Sequence, residues 1–270
     1  MKRSRPALWL GAFTGFYRPG VEEIRALDPV SKFLYAGRSV ILVISAQAAI
    51  AAGLLAAADR RFDPIDFALV LAGFVAAHLL SNLSNDYFGY VRGHDTPDSP
   101  RMRYTVHPLA SGVIEPRALV TGVAILAALG LGILAYFVLE RGGLAVAFAA
   151  AGIALLLLYD AAPVPLKSIG LGERAARGLN AATVLLIYAV IAPLIAWGRL
   201  TPFAVLVAFA LPRAARAVAL MARPRQALAP PGFVGWPLWV HRACLEHNRL
   251  FGWLYILGLA AGAAWPEARA

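Results

Sequence analysis

The feature that most constrains this chain is a series of long apolar blocks without a charged residue. Each block is long enough, or nearly so, to cross a hydrocarbon core of about 30 Å as a helix. The whole chain is 60% hydrophobic and only 15% charged. A water-soluble domain of 270 residues with this composition would expose too much apolar surface. Uninterrupted apolar runs indicate helices and not barrel strands, so we predict an all-α, polytopic membrane helical bundle. The five clearest blocks are Val40–Ala58, Phe67–Leu83, Ala118–Leu139, Leu144–Tyr159 and Gly178–Gly198.

Two further blocks bring the expected number of transmembrane helices to about seven, within a range of six to eight. Pro202–Met221 is apolar but interrupted by Pro212, Arg213 and Arg216, and Leu250–Trp265 is short but ends in an aromatic anchor. We expect residues 34–265 to form a single transmembrane domain. Residues 1–33 form a cytoplasmic N-terminal segment and residues 266–270 a tail.

The distribution of basic residues predicts the orientation of these helices. With a cytoplasmic N-terminus, 20 of the 25 lysines and arginines lie on the inner side, as the positive-inside rule expects. The net charge of +10 is therefore explained by topology and by attraction to anionic lipid, and not by nucleic-acid binding. A single cysteine, Cys244, excludes an internal disulfide. The basic residues on the outer side are Arg60, Arg61, Arg141, Arg199 and Arg269.

Polar residues within the second block are candidates for function, because polar groups are costly inside a bilayer. His78, Asn82 and Asp86 recur every four residues, and Asn85 lies beside them, so all four face one side of a helix. This face leads into the inner loop Val91–Arg117. Carboxylates and amides beside arginines suit a phosphate group bound through Mg²⁺, although such residues also hydrogen-bond neighbouring helices. The loop residues concerned are Asp95, Asp98, Arg101, Arg103 and His107.

A second inner loop, Tyr159–Glu173, contains two prolines, two glycines and Lys167. The helix that follows it would present backbone N–H groups to an anion, and Lys167 would add positive charge. The alternative is a plain connection between two spans, because glycine and proline are ordinary loop residues. Both polar loops fall on the cytoplasmic side, so we expect them to face one cavity.

Several segments together resemble the UbiA superfamily of intramembrane prenyltransferases. Asn82–Asp98 resembles the first aspartate-rich motif of that superfamily, in the form found in the dihydroxynaphthoate (MenA-like) branch. His107–Gly112 is similar to the R-P-L-P-S-G element, and Tyr159–Glu173 to the tyrosine–proline–glycine loop. Trp236–Gly252 looks like the final helix of some bacterial members. The resemblance runs in order over residues 30–265.

The resemblance implies an enzyme of the bacterial cytoplasmic membrane that moves a polyprenyl group from its diphosphate to a small, usually aromatic acceptor, as in quinone and menaquinone biosynthesis. It implies Mg²⁺ as the cofactor. The residues that map onto the metal-binding and catalytic positions are Asn82, Asn85, Asp86 and Asp95. Expected diphosphate contacts are Arg101, Arg103, Lys167, Arg213 and Arg216, and residues assigned to the acceptor or second loop are His78, Tyr159 and Glu173.

The chain departs from the family pattern at two places. Gly89 stands where the family has the second aspartate of its first motif, and the second aspartate-rich motif is absent. In the corresponding part of the chain, Arg213 and Arg216 follow Pro212, and they either clamp the diphosphate directly or extend to the lipid phosphates. Two alternatives to prenyl transfer onto an aromatic ring stay open. One is terpene cyclisation or transfer to a non-aromatic acceptor, and the other is a non-catalytic lipid-binding membrane protein.

Overall fold

The computed structural model describes residues 4–99, 101–102, 105–161, 173–223 and 239–265. Within these ranges all regular secondary structure is helical, which confirms the all-α prediction. Short 3₁₀ helices occupy Ser39–Ile41 and Pro202–Ala210, and a π-helical turn occupies Leu157–Ala161. Ten α-helices lie within the described residues, namely α1 (Arg5–Thr14), α2 (Val21–Arg25), α3 (Pro29–Ala36), α4 (Leu42–Ala58), α5 (Pro64–Val91), α6 (Pro116–Arg141), α7 (Leu144–Leu156), α8 (Glu173–Ala196), α9 (Leu211–Ala222) and α10 (Trp239–Ala264).

Five helical stretches among the described residues are long and apolar enough to cross a membrane, and a sixth is apolar but shorter. Their number confirms an integral membrane protein with multiple spans. The five long stretches are Ser39–Ala58, Pro64–Val91, Pro116–Arg141, Arg174–Ala196 and Pro202–Ala222, and the shorter one is Leu144–Tyr159.

The second span is a longer helix than its apolar block indicated. We predicted Phe67–Leu83, whereas α5 extends from Pro64 to Val91. The apolar block marks the part of a helix that suits lipid, whereas the helix continues as long as its backbone hydrogen bonds do. Asn82, Asn85, Asp86 and Gly89 therefore all lie on one rigid helix.

The sixth span is not interrupted in the way that we predicted. The chain is helical from Pro202 to Ala222 and changes from 3₁₀ to α geometry at Leu211. Pro212 lies in the first turn of α9, where a backbone N–H has no partner within the helix and its loss costs little. Proline thus begins the α-helical part of this span and does not break it.

The last helix is longer and more polar than expected. We predicted a span over Leu250–Trp265, whereas α10 covers Trp239–Ala264 and carries His241, Arg242 and Glu246 in its first half. By length and composition, α10 is not among the five long candidate spans of the described residues.

The chain divides into two compact units. The first comprises Met1–Val43 and Ala72–Gly170, and the second comprises Ile44–Leu71 and Leu171–Ala270. The boundary at Ala72 lies within α5, so the polar end of that helix belongs to the first unit.

The first unit has a core formed by its N-terminal helices, the polar end of α5, the loop after α5 and the start of α6. Its buried residues are Ile24, Ala36, Leu83, Leu109, Val113, Ile114 and Leu119. Partly buried hydrogen bonds also join the N-terminal helices to one another. Trp9 Nε1 donates to Ser31 Oγ over 3.0 Å, and Tyr35 Oη donates to the Leu8 carbonyl over 2.7 Å. Residues 5–36 are therefore a folded part of this unit.

The second unit packs α8, α9 and α10 together with the 3₁₀ helix Pro202–Ala210. A side chain at Gly258 on α10 would lie 2.6 Å from the Phe203 carbonyl oxygen, so glycine permits a close approach of the two backbones. The buried residues of its two hydrophobic clusters are Val184, Ile191, Val207, Ala210, Ala214, Ala217, Met221, Val240 and Phe251.

Candidate active site

The centre of the candidate site is the carboxylate of Asp86, which lies on α5 and has no exposed surface. Arg101 donates to it twice, from Nε to Oδ1 over 2.7 Å and from Nη2 to Oδ2 over 2.6 Å. This is the forked arrangement in which a guanidinium binds a carboxylate most strongly. Arg38 adds a second guanidinium, with Nη2 3.4 Å from Oδ1. Both arginines are buried, so the carboxylate is the partner that makes their charges tolerable away from water.

Arg38 reaches Asp86 from an unusual backbone conformation. It lies in the turn between α3 and α4 with φ 61° and ψ 44°, in the left-handed region. That region costs a residue with a side chain roughly 1–2 kcal/mol. Arg38 Nη2 also donates to the Asn82 carbonyl over 2.9 Å, and Asn82 Nδ2 donates to the Gly37 carbonyl over 2.9 Å. These two reciprocal hydrogen bonds hold the turn against α5 and the guanidinium beside Asp86.

The amide nitrogen of Asn82 therefore binds the backbone of the turn between α3 and α4, and the Asn82 side chain is buried. Asn85 is half-buried on α5 beside Asp86, and His78 is half-buried two turns earlier on the same helix. The predicted helical face is thus present. Its metal-binding role stays a prediction.

The loop after α5 folds back over the last turn of that helix. The backbone N–H groups of His94 and Asp95 both donate to the Gly89 carbonyl, over 2.8 and 3.1 Å. The Asp95 side chain then lies directly over Gly89. A Cβ atom at residue 89 would overlap Asp95 Oδ2 and would lie 2.8 Å from its Cγ and 3.2 Å from its Oδ1. The carboxylate of Asp95 thus occupies the space into which a side chain at residue 89 would extend.

His107 holds the Asp95 carboxylate from the other side. Its Nε2 lies 3.1 Å from Asp95 Oδ2, and its side chain is completely buried. The backbone N–H groups of Leu109 and Ala110 point at its Nδ1, over 3.3 and 3.2 Å. A ring nitrogen that accepts these bonds carries no proton, so in the neutral ring the proton lies on Nε2 and is donated to Asp95.

Side-chain ligand atoms of Asp86, Asp95 and His107 all lie within 4.8 Å of one another. Mg²⁺ in phosphate-transfer sites is bound by one or two protein carboxylates, with waters and substrate phosphate oxygens in the other positions. The two carboxylates fit that pattern. A carboxylate offers about four lone-pair positions, so an oxygen that accepts an arginine N–H can also bind a metal ion. His107 donates its Nε2 proton to Asp95. It would therefore support a metal site by orienting that carboxylate and not by binding the ion itself.

The structure brings Asp86, Asp95 and Arg101 together in the first unit. Arg101 also donates from Nη1 to the Thr105 carbonyl over 3.2 Å and to Thr105 Oγ1 over 2.8 Å, which fixes its guanidinium to the loop as well as to Asp86.

The other predicted residues belong to other segments of the sequence. Arg213 and Arg216 belong to the second unit, where both are exposed on α9 and Arg213 Nη1 donates to the Glu246 carbonyl over 3.2 Å. Tyr159 is exposed in the π-helical turn after α7. The remaining three are Arg103 and Lys167, which lie outside the described residues, and Glu173, which is the first residue of α8.

The sequence assigned no specific role in the site to two residues of the cluster. Arg38 counted only as one of the basic residues on the inner side, and its contact with Asp86 depends on how the turn after α3 packs on α5. His107 was named as a loop residue without a role. Its burial and its contact with Asp95 depend on how the loop folds, which no local pattern encodes.

Comparison with known families supports the resemblance seen in the sequence. Residues 46–173 match the model of the UbiA prenyltransferase family. The matched segment contains Asp86, Asp95, Arg101 and His107, and it ends before α9. No curated protein and no solved structure matches the chain.

Proposed function

We propose, from the match of residues 46–173 to the UbiA prenyltransferase family, that this protein is a Mg²⁺-dependent intramembrane prenyltransferase. It transfers a polyprenyl group from its diphosphate to a small aromatic acceptor. The observation that carries the proposal is the pair of carboxylates, Asp86 and Asp95, held within 4.8 Å of each other beside the buried Arg38 and Arg101. The pair lies at one end of an apolar helix, inside the matched segment.

The charges of these four side chains support a role for a metal ion. Two carboxylates and two guanidiniums cancel, so these four side chains alone offer a diphosphate no net attraction. Asp86 and Asp95 would hold a divalent cation, whose charge would stabilise the leaving diphosphate. Arg38 and Arg101 hold the Asp86 carboxylate in a fixed, buried position.

The reaction then follows from ordinary carbocation chemistry. The bond between the allylic carbon and the diphosphate oxygen breaks, and its electron pair leaves with the diphosphate. An electron-rich carbon of the acceptor ring attacks the allylic cation, and the ring loses a proton to restore its aromaticity. The apolar helices of the bundle provide a medium poor in water, in which the cation survives long enough to react.

Several finer assignments belong to the same proposal. The first motif, Asn82–Asp98, favours the dihydroxynaphthoate branch and hence menaquinone-type lipid biosynthesis. Asn82 and Asn85 support the metal site from α5, and His78 and Tyr159 contact the acceptor. The further diphosphate contacts are Arg103, Lys167, Arg213 and Arg216, and Glu173 belongs to the second loop.

The test is Mg²⁺-dependent diphosphate release by the purified protein in lipid nanodiscs. Allylic diphosphates of several chain lengths are supplied with and without dihydroxynaphthoate or hydroxybenzoate. Diphosphate release together with a prenylated aromatic product supports the proposal. Release with a cyclic hydrocarbon would assign a terpene cyclase instead. Retention of the diphosphate with no turnover under all conditions would assign a lipid-binding protein and overturn the proposal.

A further inference from the structure

We propose that Gly89 and His107 are positioning residues that make Asp95 the metal-binding carboxylate at the end of α5, in place of the carboxylate that residue 89 lacks. This inference rests on the proposed function, because it concerns how the metal site of that reaction is built. It assigns roles to two residues that a metal-binding pattern would not include, namely a glycine and a buried neutral histidine.

The first step is the position of Gly89. It lies three residues after Asp86 on α5, so the two positions are neighbours on the helix surface. A carboxylate at residue 89 would therefore be a natural partner for Asp86 around one cation. The chain has no side chain there, and the space is occupied by a carboxylate that comes from six residues further along.

The second step is that backbone hydrogen bonds position Asp95 over Gly89. The Gly89 carbonyl accepts hydrogen bonds from the N–H groups of both His94 and Asp95, which close the chain over the helix end. With any other residue at position 89, its Cβ would overlap Asp95 Oδ2. The overlapping atom is the end of a side chain, so a larger residue would displace the Asp95 carboxylate and not unfold α5.

The third step is that His107 orients the carboxylate. The hydrogen bonds from Leu109 and Ala110 to Nδ1 leave the proton on Nε2, and this N–H points at Asp95 Oδ2. Partners that hold a metal ligand in this way commonly change metal affinity 10- to 100-fold when they are removed.

The fourth step is electrostatic. The carboxylates of Asp86 and Asp95 repel each other at this separation, and the repulsion is strongest away from water. Arg101 binds both oxygens of Asp86, and His107 binds the Asp95 carboxylate. A divalent cation held between the two carboxylates would offset their repulsion, so their separation suits such an ion.

The experiment measures Mn²⁺ binding by electron paramagnetic resonance in nanodiscs, with inorganic pyrophosphate present, so that the readout is independent of turnover. We expect Gly89→Ala and His107→Leu each to weaken Mn²⁺ binding by about tenfold or more. His107→Gln, whose amide N–H can donate to Asp95, should retain most of the affinity. The double variant Gly89→Asp/Asp95→Gly places the carboxylate on the helix itself and should recover binding relative to Gly89→Asp alone.

The matched control is Gly132→Ala on α6, where an added Cβ meets no atom within 4 Å. Wild-type Mn²⁺ affinity in Gly89→Ala or His107→Leu, with Asp86→Asn defective, would overturn the positioning roles and leave the proposed function standing. Failure of the double variant to exceed Gly89→Asp, with the protein folded, would also overturn them. Absence of Mn²⁺ binding in the wild-type protein would overturn the metal site and the proposed function together.

Discussion

Asp86 and Arg101 form a forked ion pair in which both carboxylate oxygens accept from one guanidinium, over 2.7 and 2.6 Å, although the arginine lies 15 residues later and outside α5. Both side chains are buried, so neither can replace this ion pair with hydrogen bonds to water. It joins the end of a membrane helix to the loop that follows. The loop conformation therefore depends on a charge within the helix.

Asp86→Asn should abolish Mg²⁺-dependent turnover and also destabilise the first unit. The amide removes the charge that two buried arginines share, and breaking a buried pair from one side costs about 3–5 kcal/mol. Turnover is measured as diphosphate release and stability as the unfolding temperature in detergent. Asp59→Asn, which changes an exposed carboxylate just after α4, is the control. Wild-type turnover in Asp86→Asn would rule out a metal role for this residue.

Arg38→Gly should destabilise the protein even though glycine relieves the left-handed backbone at this position. The variant loses the guanidinium beside Asp86 and the hydrogen bond to the Asn82 carbonyl. Arg60 supplies a matched comparison, because it has φ 58° and an exposed side chain. Arg60→Gly should be neutral or slightly stabilising. Equal unfolding temperatures for the two variants would show that the buried contacts of Arg38 contribute nothing.

The stability of the N-terminal helices should depend on the ionisation of Asp28. The hydrogen bond from the Ser31 side chain is the main reason that the pKa of Asp28 lies below its ordinary value of 3.8. The folded form thus favours the carboxylate. This contribution to stability is fully present above pH 3.8 and is lost as the pH falls through the lowered pKa of the folded state. Thermal unfolding of the wild type and of Asp28→Asn should therefore differ at neutral pH and converge in acid. A constant difference at all pH values would contradict this account.

Tyr188→Phe should weaken the second unit. Tyr188 Oη lies 2.8 Å from His247 Nε2, while His247 Nδ1 lies 2.9 Å from Asn248 Oδ1. Because the Asn248 oxygen can only accept, the neutral ring carries its proton on Nδ1 and accepts the tyrosine O–H at Nε2. Removing that O–H leaves a buried ring nitrogen without a donor, at a cost of about 1–3 kcal/mol. Tyr255→Phe keeps the stacked contact of that ring with Phe251 and should change the unfolding temperature less.

The sequence predicted the elements that lipid itself dictates. A backbone in hydrocarbon must satisfy its hydrogen bonds internally, so long apolar blocks become helices whatever surrounds them. The same reasoning placed Asn82, Asn85 and Asp86 on one face, because helical periodicity is a local property. This reasoning was wrong at two places. The helix α5 continues beyond its apolar block as far as Val91, and Pro212 lies in the first turn of a helix that we expected it to break.

The partners of Asp86 were decided by tertiary structure alone. Arg101 was assigned to the diphosphate because charge and sequence position show that an arginine is nearby, but not which anion it binds. Arg38 is 48 residues away from Asp86 along the chain and reaches it only because the turn after α3 packs on α5. Such a pairing depends on how two elements pack against each other, and the spacing of residues within one helix does not predict that.

Gly89 shows most clearly what the sequence determined and what the fold decided. The sequence alone established that this helix position has no carboxylate, and it identified Asp95 as an acidic residue of the following loop. Only the folded chain places the Asp95 carboxylate over Gly89 and the Nε2 proton of His107 against it. The physical reason is that helix formation depends on residues one turn apart, whereas a side chain six residues beyond the helix position is placed by the whole path of the loop.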